Sequence, residues 1–94
     1  MLILVAYDVA TVEKVGQKRL RRVARACQDY GQRVQNSVFE CRVGKKEWTI
    51  LRDKLLSEIN PNEDSLRFYF LDGDVNIEHH GCKKPINLED PLIF

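Results

Sequence analysis

The opening run Met1-Leu2-Ile3-Leu4-Val5-Ala6-Tyr7-Asp8-Val9 restricts the fold more than any other stretch of the chain. It is apolar at consecutive positions, with no polar alternation before Asp8, and so predicts a central β-strand buried on both faces. The fold is expected to begin at residue one, with no linker, tag or targeting peptide ahead of it. The run also lacks the basic segment and small-residue cleavage site of a signal peptide. Asp8 closes the strand where it gives out into Ala10-Thr11. A carboxylate there costs desolvation free energy unless something compensates it. Backbone N–H groups of the following turn can do so, and so can a divalent cation with water and phosphate oxygens.

The 94 residues predict a single domain, 1–94, of a size that is small for a self-sufficient core. A hydrophobic content of 44% is ample for folding. No stretch approaches the ~20 apolar residues of a membrane span. Cys27, Cys41 and Cys82 are odd in number and lack CxxC spacing, which argues against a disulfide framework or a zinc site. A cytoplasmic, reduced protein is expected.

Beyond the first strand, Leu20, Val23, Ala24, Cys27 and Tyr30 recur at helical spacing over Lys14–Tyr30, and Gly31 is a natural stop. Gln32–Val43 returns to β character through Val34, Val38, Phe39, Cys41 and Val43, ended by Gly44-Lys45. Lys45–Ile59 is predicted as a second amphipathic helix, with Trp48, Leu51, Leu55 and Ile59 on one face. Ser65–Leu71 and Val75–His80 are predicted strands, joined by the hairpin-type turn Asp72-Gly73-Asp74. The order is therefore β-α-β-α-β-β. Side by side, its two crossovers make an α+β, ferredoxin-like antiparallel sheet with both helices on one face. The second strand is long enough to bend into a hairpin-like extension.

Two helices cover one side of that sheet, yet the first and third strands carry large apolar groups on both sides. Such a patch exceeds what a monomer usually exposes, so the uncovered face is expected to pack sheet on sheet against a second copy. The apolar end of the chain, Pro91-Leu92-Ile93-Phe94, is expected to exchange onto the partner's sheet edge as a short strand, with residues 82–94 packing on the partner subunit.

The net charge of +1 hides an asymmetry: residues 13–33 hold seven Lys and Arg against Glu13 and Asp29, a local +5. At 100° per residue, Lys14, Lys18, Arg21, Arg22 and Arg25 share one arc opposite the Leu20/Val23/Cys27 stripe, and these five with Arg19 are the expected nucleic-acid-binding residues. Lys14/Lys18, Lys18/Arg22 and Arg21/Arg25 are like charges at i,i+4, each costing a few tenths of a kcal/mol. Phosphate contact explains why that repulsion is tolerated, and a solvated basic face is the alternative. No aromatic interleaving or base-reading motif accompanies the arc, so sequence-independent binding is expected.

Elsewhere the chain offers little chemistry. His79 and His80, next to Gly81-Cys82, point to opposite faces of a strand and are read as structural. Cys27 sits on the helix core stripe and behaves as a small hydrophobe. No Ser-His-Asp order, P-loop, GxGxxG or HExxH is present.

Three segments together resemble the small CRISPR-associated protein 2 family, a subunit of the spacer-acquisition machinery. They are Tyr7-Asp8-Val9, the stretch Gly31-Gln32-Arg33-Val34-Gln35-Asn36-Ser37-Val38-Phe39-Glu40, and Asp64-Ser65-Leu66-Arg67-Phe68-Tyr69. The tail Asn87-Leu88-Glu89-Asp90-Pro91-Leu92-Ile93-Phe94 is similar to one subgroup. The resemblance implies a ferredoxin-like homodimer with the two strand-end aspartates facing each other across the two-fold axis. It also implies that Asp8 binds a divalent metal such as Mg²⁺, with Tyr7, Arg33 and Phe39 beside it.

Two function classes follow from that resemblance. The first is a Mg²⁺-dependent endonuclease acting on RNA or DNA, with Arg33 steadying the phosphate. The second is a non-catalytic scaffold that joins two dimers of the integrase subunit, CRISPR-associated protein 1, while Lys14, Lys18, Arg22 and Arg25 hold a DNA duplex. One acidic residue per subunit is a sparse metal site, which favours the scaffold as the physiological role.

Overall fold

The apolar first run forms β1 (Leu2–Asp8), the middle strand of a five-stranded sheet. A computed structural model describes residues 1–82 of the chain. The elements that follow are α1 (Lys14–Gln28), β2 (Gly31–Gln35), β3 (Val38–Arg42), α2 (Lys45–Glu58), β4 (Ser65–Phe70) and β5 (Asn76–Gly81). The strand order is β2-β3-β1-β4-β5, and all four neighbouring pairs are antiparallel. From β1 to β4 this is a ferredoxin-like α+β fold, and β5 extends it along the edge of β4.

One element departs from the sequence expectation. The stretch Gln32–Val43, predicted as one strand long enough to bend into a hairpin-like extension, is two strands: Asn36 and Ser37 turn the chain back between β2 and β3. Asn and Ser are turn-favouring residue types, but Asn-Ser is a weaker hairpin signal than Asn-Gly, and β-formers flank it on either side. The pairing register also shifts between Arg33 and Gln35, a bulge-like irregularity on the edge strand. The order is therefore β-α-β-β-α-β-β. α1 stops at Gln28, and Gly31 opens β2 instead of ending the helix. Glycine is needed there because a Cβ would lie 2.5 Å from both Cys41 Sγ and the Glu40 carbonyl oxygen.

Alternate residues of the strands face the helices. Ile3, Val5 and Tyr7 meet Phe39 and Cys41 of β3 and Leu66 and Phe68 of β4, under Val23 and Cys27 of α1 and Trp48, Leu51 and Leu55 of α2. Trp48 stands edge-on to Phe68 and Phe70, with ring centroids 4.8 and 5.6 Å apart, a favourable aromatic geometry. The opposite face of β1, formed by Leu2, Leu4 and Ala6, is only half-buried. Within one chain, then, burial along β1 alternates despite its continuous apolar composition. The strand exchange expected of residues 82–94 falls, but for Cys82, outside the described residues. Among the described residues, no helix is long and apolar enough to cross a membrane.

Candidate functional site

Asp8 is the last residue of β1 and pairs with Ser65 of β4. Strand alternation puts it on the face that carries neither helix, and it is exposed, whereas Tyr7 before it is 4% exposed and lies in the core. The two neighbours named by the family resemblance therefore point to opposite sides of the sheet.

Tyr7 is joined there by Phe39 and Arg33. The Tyr7 and Phe39 rings stack with centroids 6.2 Å apart, and the Arg33 guanidinium sits 5.1 Å from the centre of the Phe39 ring. Burial pushes the Tyr7 hydroxyl up to about 12; Cys27 acts in the same direction and Arg33 opposes it. The phenol is thus neutral at physiological pH, with the Arg33 guanidinium facing its buried oxygen. Three of the four residues expected around the metal are brought together, on the helix side of the sheet, with Asp8 on the other.

The connection after Asp8 is held by a residue to which the sequence reading assigned no role. Asp64 is fully buried and accepts hydrogen bonds from Ala10 N (3.0 Å), Asn60 N (2.8 Å) and Arg19 Nε (2.9 Å). Desolvation raises its carboxyl pKa, but the Arg19 guanidinium and the two backbone donors outweigh this and hold it below the usual carboxylate range. Arg19 also pairs with Glu63 at 3.1 Å, and its side chain is 11% exposed. Two carboxylates occupy its guanidinium, which sets it apart from the other cations of the nucleic-acid-binding set in which the sequence placed it. Its position off the arc, turned toward the sheet, was the available signal.

The other five cations of α1 remain on the surface. Lys14, Lys18, Arg21 and Arg25 are exposed and make no ion pair among the described residues, and Arg22 reaches only a 3.9 Å contact with Glu58. No acidic residue sits in the first turn, so Lys14 and Lys18 add to the positive end of the helix dipole. The result is a cationic ridge with almost no internal neutralisation.

The His79-His80 pair divides as adjacent strand residues must. His80 Nε2 lies 2.7 Å from Glu78 Oε1 on the helix side, where Arg52 of α2 also binds Glu78. Hydrogen bonding from Arg52, ahead of opposing desolvation and a further bond to His80, lowers the Glu78 pKa. His79 Nε2 donates to the Cys82 carbonyl at 2.9 Å on the other face. Among the described residues, no group of three His, Cys, Asp or Glu side chains gathers to hold a metal. A metal at Asp8 would be of the kind that Mg²⁺ accepts, with one or two carboxylates and the remaining oxygens from water and substrate phosphate. The exposed carboxylate and the Ser65 hydroxyl position opposite it suit that hard-oxygen chemistry.

The class defined by this architecture is a small ferredoxin-like domain with one helix-covered face and one open face. Comparisons with known proteins place it further. The family model described as CRISPR associated protein Cas2 matches residues 1–76. The chain is 56% identical to the CRISPR-associated endoribonuclease Cas2 of Chlorobaculum tepidum and 55% identical to the CRISPR-associated endonuclease Cas2 of Halalkalibacterium halodurans, with all of each chain covered. Among solved structures, that of Streptococcus pyogenes Cas2 is similar at a TM-score of 0.71 and 54% identity, covering 76% of this chain and 86% of that one. The chain belongs to the CRISPR-associated Cas2 family.

Proposed function

We propose that the protein serves CRISPR spacer acquisition as a homodimer that binds duplex nucleic acid and hydrolyses phosphodiester bonds with Mg²⁺ at Asp8. The observation that carries this reading is the placement of Asp8: an exposed carboxylate at the end of the central strand, on the sheet face that neither helix covers. A second copy packed on that face brings two such carboxylates toward one axis. The names of the relatives, endoribonuclease and endonuclease, support the reaction class.

Asp8 and its partner copy would hold the cation, which when bound supplies charge neutralisation at the phosphate and an acidified water. The protein's own residues do the rest. β1 fixes the carboxylate, Asp64 fixes the turn that follows it, and the α1 ridge draws the polyanion to the surface without reading bases. Hydrolysis adds one water across one P–O bond and leaves a phosphate monoester and a hydroxyl. Tyr7, Phe39 and Arg33 support the strand from the helix side.

A second reading, a scaffold that bridges two integrase dimers and holds DNA along the α1 ridge, is favoured by the sparse donor set at Asp8. Asp8→Asn separates the two. On the nuclease reading it abolishes Mg²⁺-dependent cleavage by purified protein, with the dimer intact, and spacer acquisition fails with it. Cleavage that survives unchanged overturns the assignment of Asp8. Lost cleavage with normal acquisition identifies the scaffold as the working role.

A further inference from the structure

The open face of the sheet divides into two chemical zones. Toward the Leu2 end Leu4, Tyr69 and Ile77 form an apolar cross-strand row, bordered on β3 by Glu40 and its ion-pair partner Arg42. Toward the other end the pairing puts Asp8 opposite Ser65, and Ala6, Arg67 and His79 in the adjoining row. Arg67 is therefore the diagonal neighbour of Asp8 on the same face, about 7–8 Å away, within reach of a long side chain. Arg33, the arginine the family resemblance puts beside Asp8, stacks on Phe39 on the far side of the sheet.

Arg67 is half-buried, yet among the described residues its guanidinium has no hydrogen bond or ion pair. A partly desolvated cation without a counter-anion is unfavourable, and a planar guanidinium suits two oxygens of one phosphate. Its cross-strand partner His79 also has an unpaired ring atom: Nε2 donates to the Cys82 carbonyl, and Nδ1 is buried without a partner among the described residues. Carboxylate, hydroxyl, guanidinium and imidazole thus share one end of this face, while the charged pair Glu40–Arg42 lies toward the Leu2 end.

We infer that Arg67, and not Arg33, receives the non-bridging oxygens of the phosphodiester held beside Asp8. This rests on the nuclease reading for its reaction but not for its ligand. The guanidinium matches the charge and shape of a phosphodiester, a group common to every nucleotide step.

Arg67→Gln, Arg67→Ala and Arg33→Gln in the full chain test this against Asp8→Asn, with assembly state followed by sedimentation. Arg67→Gln is expected to lower Mg²⁺-dependent cleavage at least about 100-fold, the loss typical of one transition-state donor, and Arg33→Gln to lower it less. Added guanidinium ion is expected to restore part of the activity of Arg67→Ala, which a purely structural arginine does not allow. Cleavage by Arg67→Gln within about threefold of the unsubstituted protein overturns the inference. So does dissociation of the dimer without guanidinium rescue, because Arg67 is then an interface ion-pair partner. If the unsubstituted protein cleaves nothing, the nuclease reading fails by itself. Arg67 is then judged by NMR titration with Mg²⁺ and the dinucleoside monophosphate UpU, which is too short to span the α1 ridge. Shifts at Ser65, Arg67 and His79 that vanish in Arg67→Gln support a phosphate seat, and no shift there overturns it.

Discussion

Asp64 shows how much one buried side chain organises. Its carboxylate ties the turn after Asp8, the first half of α1 and the end of α2 to one point. Truncation to Ala strands two backbone donors and an arginine, and is expected to cost about 3 kcal/mol in urea unfolding at neutral pH. The sign of the pH dependence follows from the lowered pKa. Stability from the ionised carboxylate is complete above the unfolded-state value of about 3.9 and drains away as pH falls through the folded-state value. The stability difference between the unsubstituted protein and Asp64→Asn should therefore narrow below about pH 4. A difference that widens there would contradict the assigned role. Nothing in the chain around Asp64 marks this role, because local sequence does not show which distant donors will converge on an acid.

At the scale of the element, α1 separates two kinds of arginine. Arg19 turns inward to Asp64 and Glu63, and Lys14, Lys18, Arg21, Arg22 and Arg25 face out. Neutralising Lys18, Arg22 and Arg25 together is expected to weaken duplex DNA binding about equally across sequences. It should also flatten the slope of log affinity against log salt by up to about 2.7, three phosphate contacts' worth. Arg19→Gln should lower thermal stability and leave that slope unchanged. An unchanged slope in the triple variant would reduce the ridge to a solvated face. The arc itself was legible because helical periodicity and i,i+4 repulsion are local properties. The split of the predicted Gln32–Val43 strand was not, since a chain of β-formers reverses or continues according to which edge is free to receive it.

For the whole molecule, the open sheet face is the decisive surface. Leu4 lies in the centre of it on β1, half-buried and paired with Glu40 on one side and Tyr69 on the other. If a second copy covers this face, Leu4→Glu puts a charge against the dimer axis. It should convert the protein to a folded monomer at micromolar concentration, read by sedimentation with an unchanged far-ultraviolet spectrum. A dimer that persists in this variant, or an unsubstituted protein that is monomeric, would show that the face is covered in another way. The same surface holds Asp8, so loss of the dimer should be accompanied by loss of cleavage.

Much of the architecture was contained in short-range pattern. The apolar run of β1 marks it as central, the spacing of Val23 and Cys27 and of Trp48, Leu51 and Leu55 orients both helices, and Asp72-Gly73-Asp74 closes the hairpin with Gly73 at φ +72. These readings succeed because helical and strand periodicities and turn chemistry are properties of neighbouring residues. The site was different. Tyr7, Asp8, Arg33 and Phe39 could be singled out from the chain, but sheet pairing sends Asp8 to one face and the other three to the opposite one. Pairing likewise brings Arg67 diagonal to Asp8 across 59 positions of sequence, and joins Arg19 to Asp64. Sequence alone determined which residues are apolar, charged or turn-forming. Only tertiary structure decided which of them share a face, because strand register is set by contacts between residues far apart in the chain.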